Sequence, residues 1–125
     1  MKICFVIPTF NDEASLKKLI DNINKELINF TLNFIIVDDF SKDDYKTLTS
    51  VQKIDLIKLE KNQGSQKAIS IGLQHAKDKN LEFDYLIVMD SDGEDRPIDL
   101  QLLISEAHKK NDNYIIFASR KKRME

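Results

Sequence analysis

The sequence predicts an α/β fold with a doubly wound, mainly parallel sheet and helices on both faces. Three observations carry this. Short apolar runs alternate with segments of helical period along the chain. The strongest runs are continuously apolar rather than alternating, as expected for strands covered on both faces. Strands separated by helices in this order pair in parallel.

Ile3-Cys4-Phe5-Val6-Ile7 reads as the first strand, ended by Pro8. An amphipathic helix follows over about Asp12 to Ile28, with Leu16, Leu19, Ile20, Ile23 and Leu27 on one helical face. Asn11 or Asp12 is placed to cap it. Phe34-Ile35-Ile36-Val37 is the second strand, followed by a short helix around Asp43 to Val51 and a weaker strand over Ile54 to Leu59. Gly64 and Ser65 open a helix running to about Asp78, where Ala68, Gly72 and Ala76 form a small-residue stripe that lets it sit close to the sheet. Tyr85 to Met89 is the next strand. Pro97 opens the last helix, and Tyr114 to Ala118 forms the last strand.

The 125 residues match one domain. A composition 42% apolar and 32% charged belongs to a soluble globular chain. The net charge of −2 carries no nucleic-acid footprint. The lone Cys4 cannot form an internal disulfide and agrees with a reducing cytoplasmic setting; the cytoplasmic face of a membrane is the alternative. No apolar run is long enough to span a bilayer. With no Cys/His set, a structural zinc site is not expected.

Parallel sheets of this kind bind ligands at the carboxyl ends of their strands, where strand order reverses. Three polar segments follow strands and would converge there: Pro8-Thr9-Phe10-Asn11, Asp38-Asp39 and Asp90-Ser91-Asp92. Asp90 and Asp92 are two residues apart, so on leaving a strand their side chains share a direction. Both could reach one divalent cation, or one the cation and the other a ribose hydroxyl. Carboxylates at the end of a buried strand are costly unless paired, and a divalent cation held by oxygen ligands, itself holding phosphate oxygens, is the natural companion. The plainer alternative is a solvated turn of helix-capping acids.

Glu94 could add a metal oxygen, whereas Asp95 suits the positive end of the following helix. Asp38 or Asp39 could accept hydrogen bonds from a ribose or base, the other serving an Asx turn before Ser41. Glu13 either approaches a nucleotide or answers the helix dipole. Asn62-Gln63-Gly64-Ser65 offers backbone N–H groups at a helix start, with Lys67 adding charge. In the basic tail, Arg120 is the best phosphate ligand, and Lys121, Lys122 and Arg123 read as solvated. Neither the dinucleotide nor the P-loop fingerprint is present. His75 and His108 read as ordinary helical residues.

Taken together, Val6-Ile7-Pro8-Thr9-Phe10-Asn11-Asp12-Glu13, Ile36-Val37-Asp38-Asp39-Phe40-Ser41, Asn62-Gln63-Gly64 and Val88-Met89-Asp90-Ser91-Asp92 resemble the nucleotide-binding half of family 2 glycosyltransferases of the Rossmann-like GT-A fold. The stretch Met89 to Pro97 is most similar to the polyprenyl-phosphate type, dolichol-phosphate mannose synthases among them. The resemblance implies inverting transfer from a UDP- or GDP-sugar, with a lipid phosphate or glycan as acceptor. It implies that Pro8, Thr9, Phe10, Glu13 and Asp38 or Asp39 line the nucleotide pocket. Asp90, Asp92 and Glu94 would hold Mg²⁺ or Mn²⁺, and Arg120 would lie near the donor or acceptor phosphate; Ser91 and Lys67 complete the residues expected to bind the donor. Catalytic domains of this kind are about twice this length, so the acceptor half and any base are expected after Glu125. The rivals are a phosphoacceptor receiver-type signalling domain and a non-catalytic nucleotide-binding module.

Overall fold

The computed structural model describes residues 1–48, 53–91, 97–110 and 115–118. Among these, β1 (Lys2–Thr9), β2 (Thr31–Asp38), β3 (Ile54–Lys58), β4 (Tyr85–Met89) and β5 (Ile115–Ala118) form one sheet in the order β3-β2-β1-β4-β5. Every pairing is parallel. Three helices connect them: α1 (Glu13–Glu26), α2 (Ser65–Asp78) and α3 (Pro97–Lys110). The strand order reverses beside β1, which lies between β2 and β4. Receiver-type domains have the order 2-1-3-4-5 instead, so the topology separates this chain from that rival.

The alternation of side chains along β1 divides the core into two layers. Ile3, Phe5 and Ile7 face α1 and α3, packing with Leu16, Leu19, Ile20, Ile23, Leu100 and Ile104. On that face the rings of Phe5 and Phe34 stack with centroids 5.2 Å apart. Cys4 and Val6 face the opposite layer, with Ile35, Val37, Leu86, Val88 and the small residues Ala68 and Ala76 of α2. Burial pushes the Cys4 thiol up to about 12, with the nearby Asp55 charge adding to the effect. It is a core residue and not a reactive thiol.

The small-residue stripe seats α2 against the sheet as expected. A Cβ on Gly72 would lie 2.6 Å from Val6 Cγ1 and 3.2 Å from Val37 Cγ2. His75 on α2 also pins β3: its Nε2 lies 3.0 Å from Asp55 Oδ2, and Lys79 Nζ lies 3.3 Å from the same oxygen. Burial raises the Asp55 pKa, but the hydrogen bonds from His75 and Lys79 outweigh it and hold the carboxyl below its ordinary value.

Several elements depart from expectation at their ends. α1 stops at Glu26, leaving Leu27 buried and Ile28 78% exposed. β3 ends at Lys58, although the Leu59 amide still donates to the Asp38 carbonyl. β5 begins at Ile115, and Tyr114 lies outside the described residues. The helix expected over Asp43 to Val51 is a single 3₁₀ turn, Lys46–Leu48, within the described residues. Side-chain acceptors take the amides a helix would need: Tyr45 and Thr47 donate to Glu13, and Lys46 donates to Asp44.

Neither Asn11 nor Asp12 caps α1 with its side chain. The cap comes from across the fold, where the Asp12 amide donates to the Tyr45 hydroxyl (3.3 Å) and the Glu13 amide to Asp43 Oδ2 (3.2 Å).

Two consequences are measurable. Gly72→Ala gains about 1 kcal/mol of helix propensity but meets overpacking that costs roughly 1–3 kcal/mol. The variant should melt lower than the parent, and a higher midpoint would contradict the close approach. Asp55 contributes stability above its unfolded value, and this is lost as pH falls through its depressed folded value. At 35% side-chain exposure the pair is partly screened and worth about 0.2–1 kcal/mol. Urea melts should show Asp55→Asn less stable than the parent at pH 7, with the gap closing as pH falls through the depressed folded value; a gap independent of pH would count against the pairing.

Candidate functional site

A cavity of about 350 Å³ opens where the strand order reverses, at the carboxyl edge of the sheet. It is lined by Pro8, Thr9 and Phe10 from the end of β1, Asp39 after β2, and Asn62, Gly64 and Ser65 around the start of α2. Asp90 and Ser91, which follow β4, complete the lining. Its volume suits a small organic ligand. A second cavity of about 370 Å³, lined by Leu27, Phe30, Leu32 and Lys53 among others, lies at the opposite edge, away from the acidic pairs.

The loops around the first cavity hold uncommon backbone conformations. Asn11, Phe40 and Tyr45 have φ of 50°, 70° and 55°, and Gly64 has 90°. Asparagine and glycine accept the left-handed region readily, while phenylalanine and tyrosine do not. Cross-loop hydrogen bonds over-determine the arrangement. The Asn11 amide donates to Ser41 Oγ (2.6 Å), and the Lys42 amide donates to Asn11 Oδ1 (2.8 Å).

The two acids after β2 are used differently. Asp38 is fully buried, and its Oδ1 accepts both the amide and the hydroxyl of Ser41. Among the described residues its Oδ2 has no hydrogen-bond partner, with Lys58 Nζ 3.9 Å away as countercharge. Asp39 borders the cavity, and its two oxygens accept the amides of Gln63 (2.7 Å) and Gly64 (2.9 Å). Asp39 thereby ties the end of β2 to the start of α2. The Asp39 amide in turn donates to the Thr9 carbonyl at 2.9 Å.

Glu13 turns toward the loop after β2. Its carboxylate accepts the Thr47 hydroxyl (2.6 Å), the Thr47 amide (3.1 Å) and the Tyr45 amide (2.9 Å). The Thr47 hydroxyl is the main cause holding its pKa below the usual carboxylate range. Ser91 is buried and donates its hydroxyl to Asp12 Oδ2 at 3.1 Å, joining the turn after β4 to the turn after β1. Asp90 beside it is exposed at the cavity rim.

The structure thus brings Pro8, Thr9, Phe10, Asp39, Asp90 and Ser91 together. Asp38, Glu13 and Lys67 do not line the cavity: Asp38 is occupied by Ser41, Glu13 by Tyr45 and Thr47, and Lys67 is exposed in the first turn of α2. Asp92, Glu94, Asp95, Arg120, Lys121, Lys122 and Arg123 lie outside the described residues. Among the described residues, no three His, Cys, Asp or Glu side chains assemble into a metal site. Of the expected ligands only Asp90 is described, and an exposed carboxylate at a cavity rim is the hard oxygen donor that Mg²⁺ or Mn²⁺ takes.

Sequence reasoning passed over Tyr45, whose fully buried hydroxyl meets Thr9 Oγ1 at 2.9 Å and Ser41 Oγ at 3.2 Å. The available signal was a single aromatic within the charged run Lys42 to Lys46.

Asp39→Ala should leave the Gln63 and Gly64 amides without their acceptor. Hydrogen bonds to a charged group contribute about 1.5–3 kcal/mol, so both amides should exchange at least about tenfold faster by NMR. Unchanged protection would show that Asp39 does not hold this loop.

The sequence profile described as Glycosyl transferase family 2 matches residues 4–125. Among curated proteins, the chain is 29% identical over 131 residues to a UDP-N-acetylglucosamine–dolichyl-phosphate N-acetylglucosaminyltransferase of Methanococcus voltae, covering 91% of this chain and 50% of the relative. It is also 29% identical over 124 residues to a dolichol-phosphate mannosyltransferase of Pyrococcus furiosus, covering 96% of this chain and 33% of the relative. The chain therefore spans half or less of the length of these relatives. The solved structure of S. aureus TarS 1-349 in complex with UDP-GlcNAc shares the fold, with a TM-score of 0.66 at 22% identity, over 89% of this chain and 32% of that one. With its profile match over nearly its full length and its doubly wound parallel sheet, the chain belongs to glycosyl transferase family 2.

Proposed function

We propose that the cavity at the carboxyl edge binds a nucleoside diphosphate sugar, and that the protein transfers the sugar with inversion to a polyprenyl phosphate. The observation that carries this is the shared lining of one cavity by the ends of β1, β2 and β4, at the point where the strand order reverses. The relatives named as acting on dolichyl phosphate and dolichol phosphate support the acceptor class, and the TarS complex supports the donor class.

In this account, Pro8, Thr9, Phe10 and Asp39 form the nucleoside side of the cavity, and Asp90 with Ser91 the diphosphate side. Phe10 is 50% exposed, so a base stacked on it would cover apolar surface otherwise left in water. Asp90, Asp92 and Glu94 would hold Mg²⁺ or Mn²⁺, and Arg120 would pair with a phosphate. When bound, the cation neutralises the diphosphate and makes it a better leaving group. The protein orients the donor so that an acceptor approaches the anomeric carbon from behind. A phosphate acceptor is already ionised and needs no side-chain base.

Titrating UDP and GDP into the chain with and without Mn²⁺ tests this. Calorimetry should show metal-dependent binding of one nucleotide, weakened at least about tenfold, or about 1.4 kcal/mol, by Asp92→Ala. Stable phosphorylation by acetyl phosphate without nucleotide binding would sink the proposal.

A further inference from the structure

Tyr45 joins the loop after β2 to the loop after β1, and counting its hydrogen atoms fixes the direction of every bond around it. The Ser41 hydroxyl has one hydrogen, which goes to Asp38 Oδ1, because a carboxylate can only accept. Ser41 Oγ must therefore accept from its other two partners, the Asn11 amide and the Tyr45 hydroxyl. That uses the only hydrogen of Tyr45. Tyr45 then accepts from its remaining partners, the Thr9 hydroxyl and the Asp12 amide, which fill its two lone pairs. The chain runs one way, from Thr9 to Tyr45 to Ser41 to Asp38.

We propose that Tyr45 is a positioning residue of the donor site: its hydroxyl sets the Thr9 side chain and the Asp12 peptide, and through Asp12 it sets the Ser91 turn that carries Asp90. The proposal rests on the donor-site reading above. Thr9 and Ser91 both line the cavity, whereas Tyr45 does not. Tyr45 is fully buried, and Lys58 Nζ stands 6.0 Å from its ring centroid. Lys58 also lies 3.9 Å from Asp38 Oδ2, so one cation balances the carboxylate at the end of the chain and flanks the ring in its middle. Asp12 links the halves, since its amide donates to Tyr45 while its carboxylate accepts from Ser91. A hydroxyl with all three positions filled holds its neighbours in one geometry, because any movement leaves a buried polar group unpaired.

Tyr45→Phe keeps the ring and removes only the hydroxyl. UDP affinity is measured with and without Mn²⁺ for the parent, Tyr45→Phe, Ser91→Ala and the double variant, and the Ser91 amide resonance is followed without ligand. The proposal expects Tyr45→Phe to weaken Mn²⁺-dependent binding about tenfold, with a smaller loss when the metal is omitted. It expects the double variant to bind no more weakly than the weaker single one, and the Ser91 amide to shift in Tyr45→Phe. A lower melting temperature with affinity and the Ser91 resonance unchanged would overturn it, as would additive losses in the double variant. If Tyr45→Phe does not fold, Ser41→Ala removes the acceptor of the Tyr45 hydrogen and should shift the same Ser91 resonance; an unmoved resonance counts against the coupling. Failure of the parent to bind either UDP or GDP overturns the donor reading, and the Ser91 resonance then decides the coupling alone.

Discussion

The central position of β1 governs the rest of the structure. Ile3 to Ile7 are fully buried, with β2 on one side and β4 on the other, both parallel to β1. A strand so enclosed has no solvent face, so its residues must be apolar on both sides of the pleat, and its polar residues, Lys2 and Thr9, stand at its two ends. Because the neighbours run the same way, their carboxyl ends arrive at the same edge. Thr9 stands level with Asp38, and β4 ends one step before Asp90. The cavity follows from the sheet order and needs no dedicated element of its own.

Convergence alone would place three polar loops side by side without fixing them. They are fixed by hydrogen bonds that cross from loop to loop: Asn11 with Ser41 and Lys42, Tyr45 with Thr9 and Asp12, Asp39 with Gln63 and Gly64, and Ser91 with Asp12. These bonds hold Asn11, Phe40 and Tyr45 in a backbone region that phenylalanine and tyrosine otherwise avoid. Two acids suited by type to bind ligand also brace the loop after β2: Glu13 accepts from Tyr45 and Thr47, and Asp38 Oδ1 accepts from Ser41.

What the sequence revealed follows a physical division. Local periodicity identified the core face of α1 through Leu16, Leu19, Ile20 and Ile23, and the small-residue seat of α2 through Ala68, Gly72 and Ala76. It also identified the runs that become strands, and with them the edge where Pro8, Thr9, Phe10, Asp39, Asp90 and Ser91 meet. Long-range side-chain pairing was not legible. The capping of α1 by Tyr45 and Asp43 spans about thirty residues and leaves no periodic trace. Within the described residues the helix expected after β2 is one 3₁₀ turn, where Glu13 takes the amides of Tyr45 and Thr47. Asp38 and Asp39 could not be told apart by type, and the pleat that buries one beside Ser41 and turns the other to the cavity separates them.

The most direct measurement of the central claim is amide chemical-shift mapping of the chain as UDP or GDP is added with Mg²⁺. Binding at the carboxyl edge should move Thr9, Phe10, Asp39, Gly64, Ser65, Asp90 and Ser91 and leave the amino edge still. Shifts confined to the opposite cavity, at Leu27, Phe30, Leu32 and Lys53, would contradict the account.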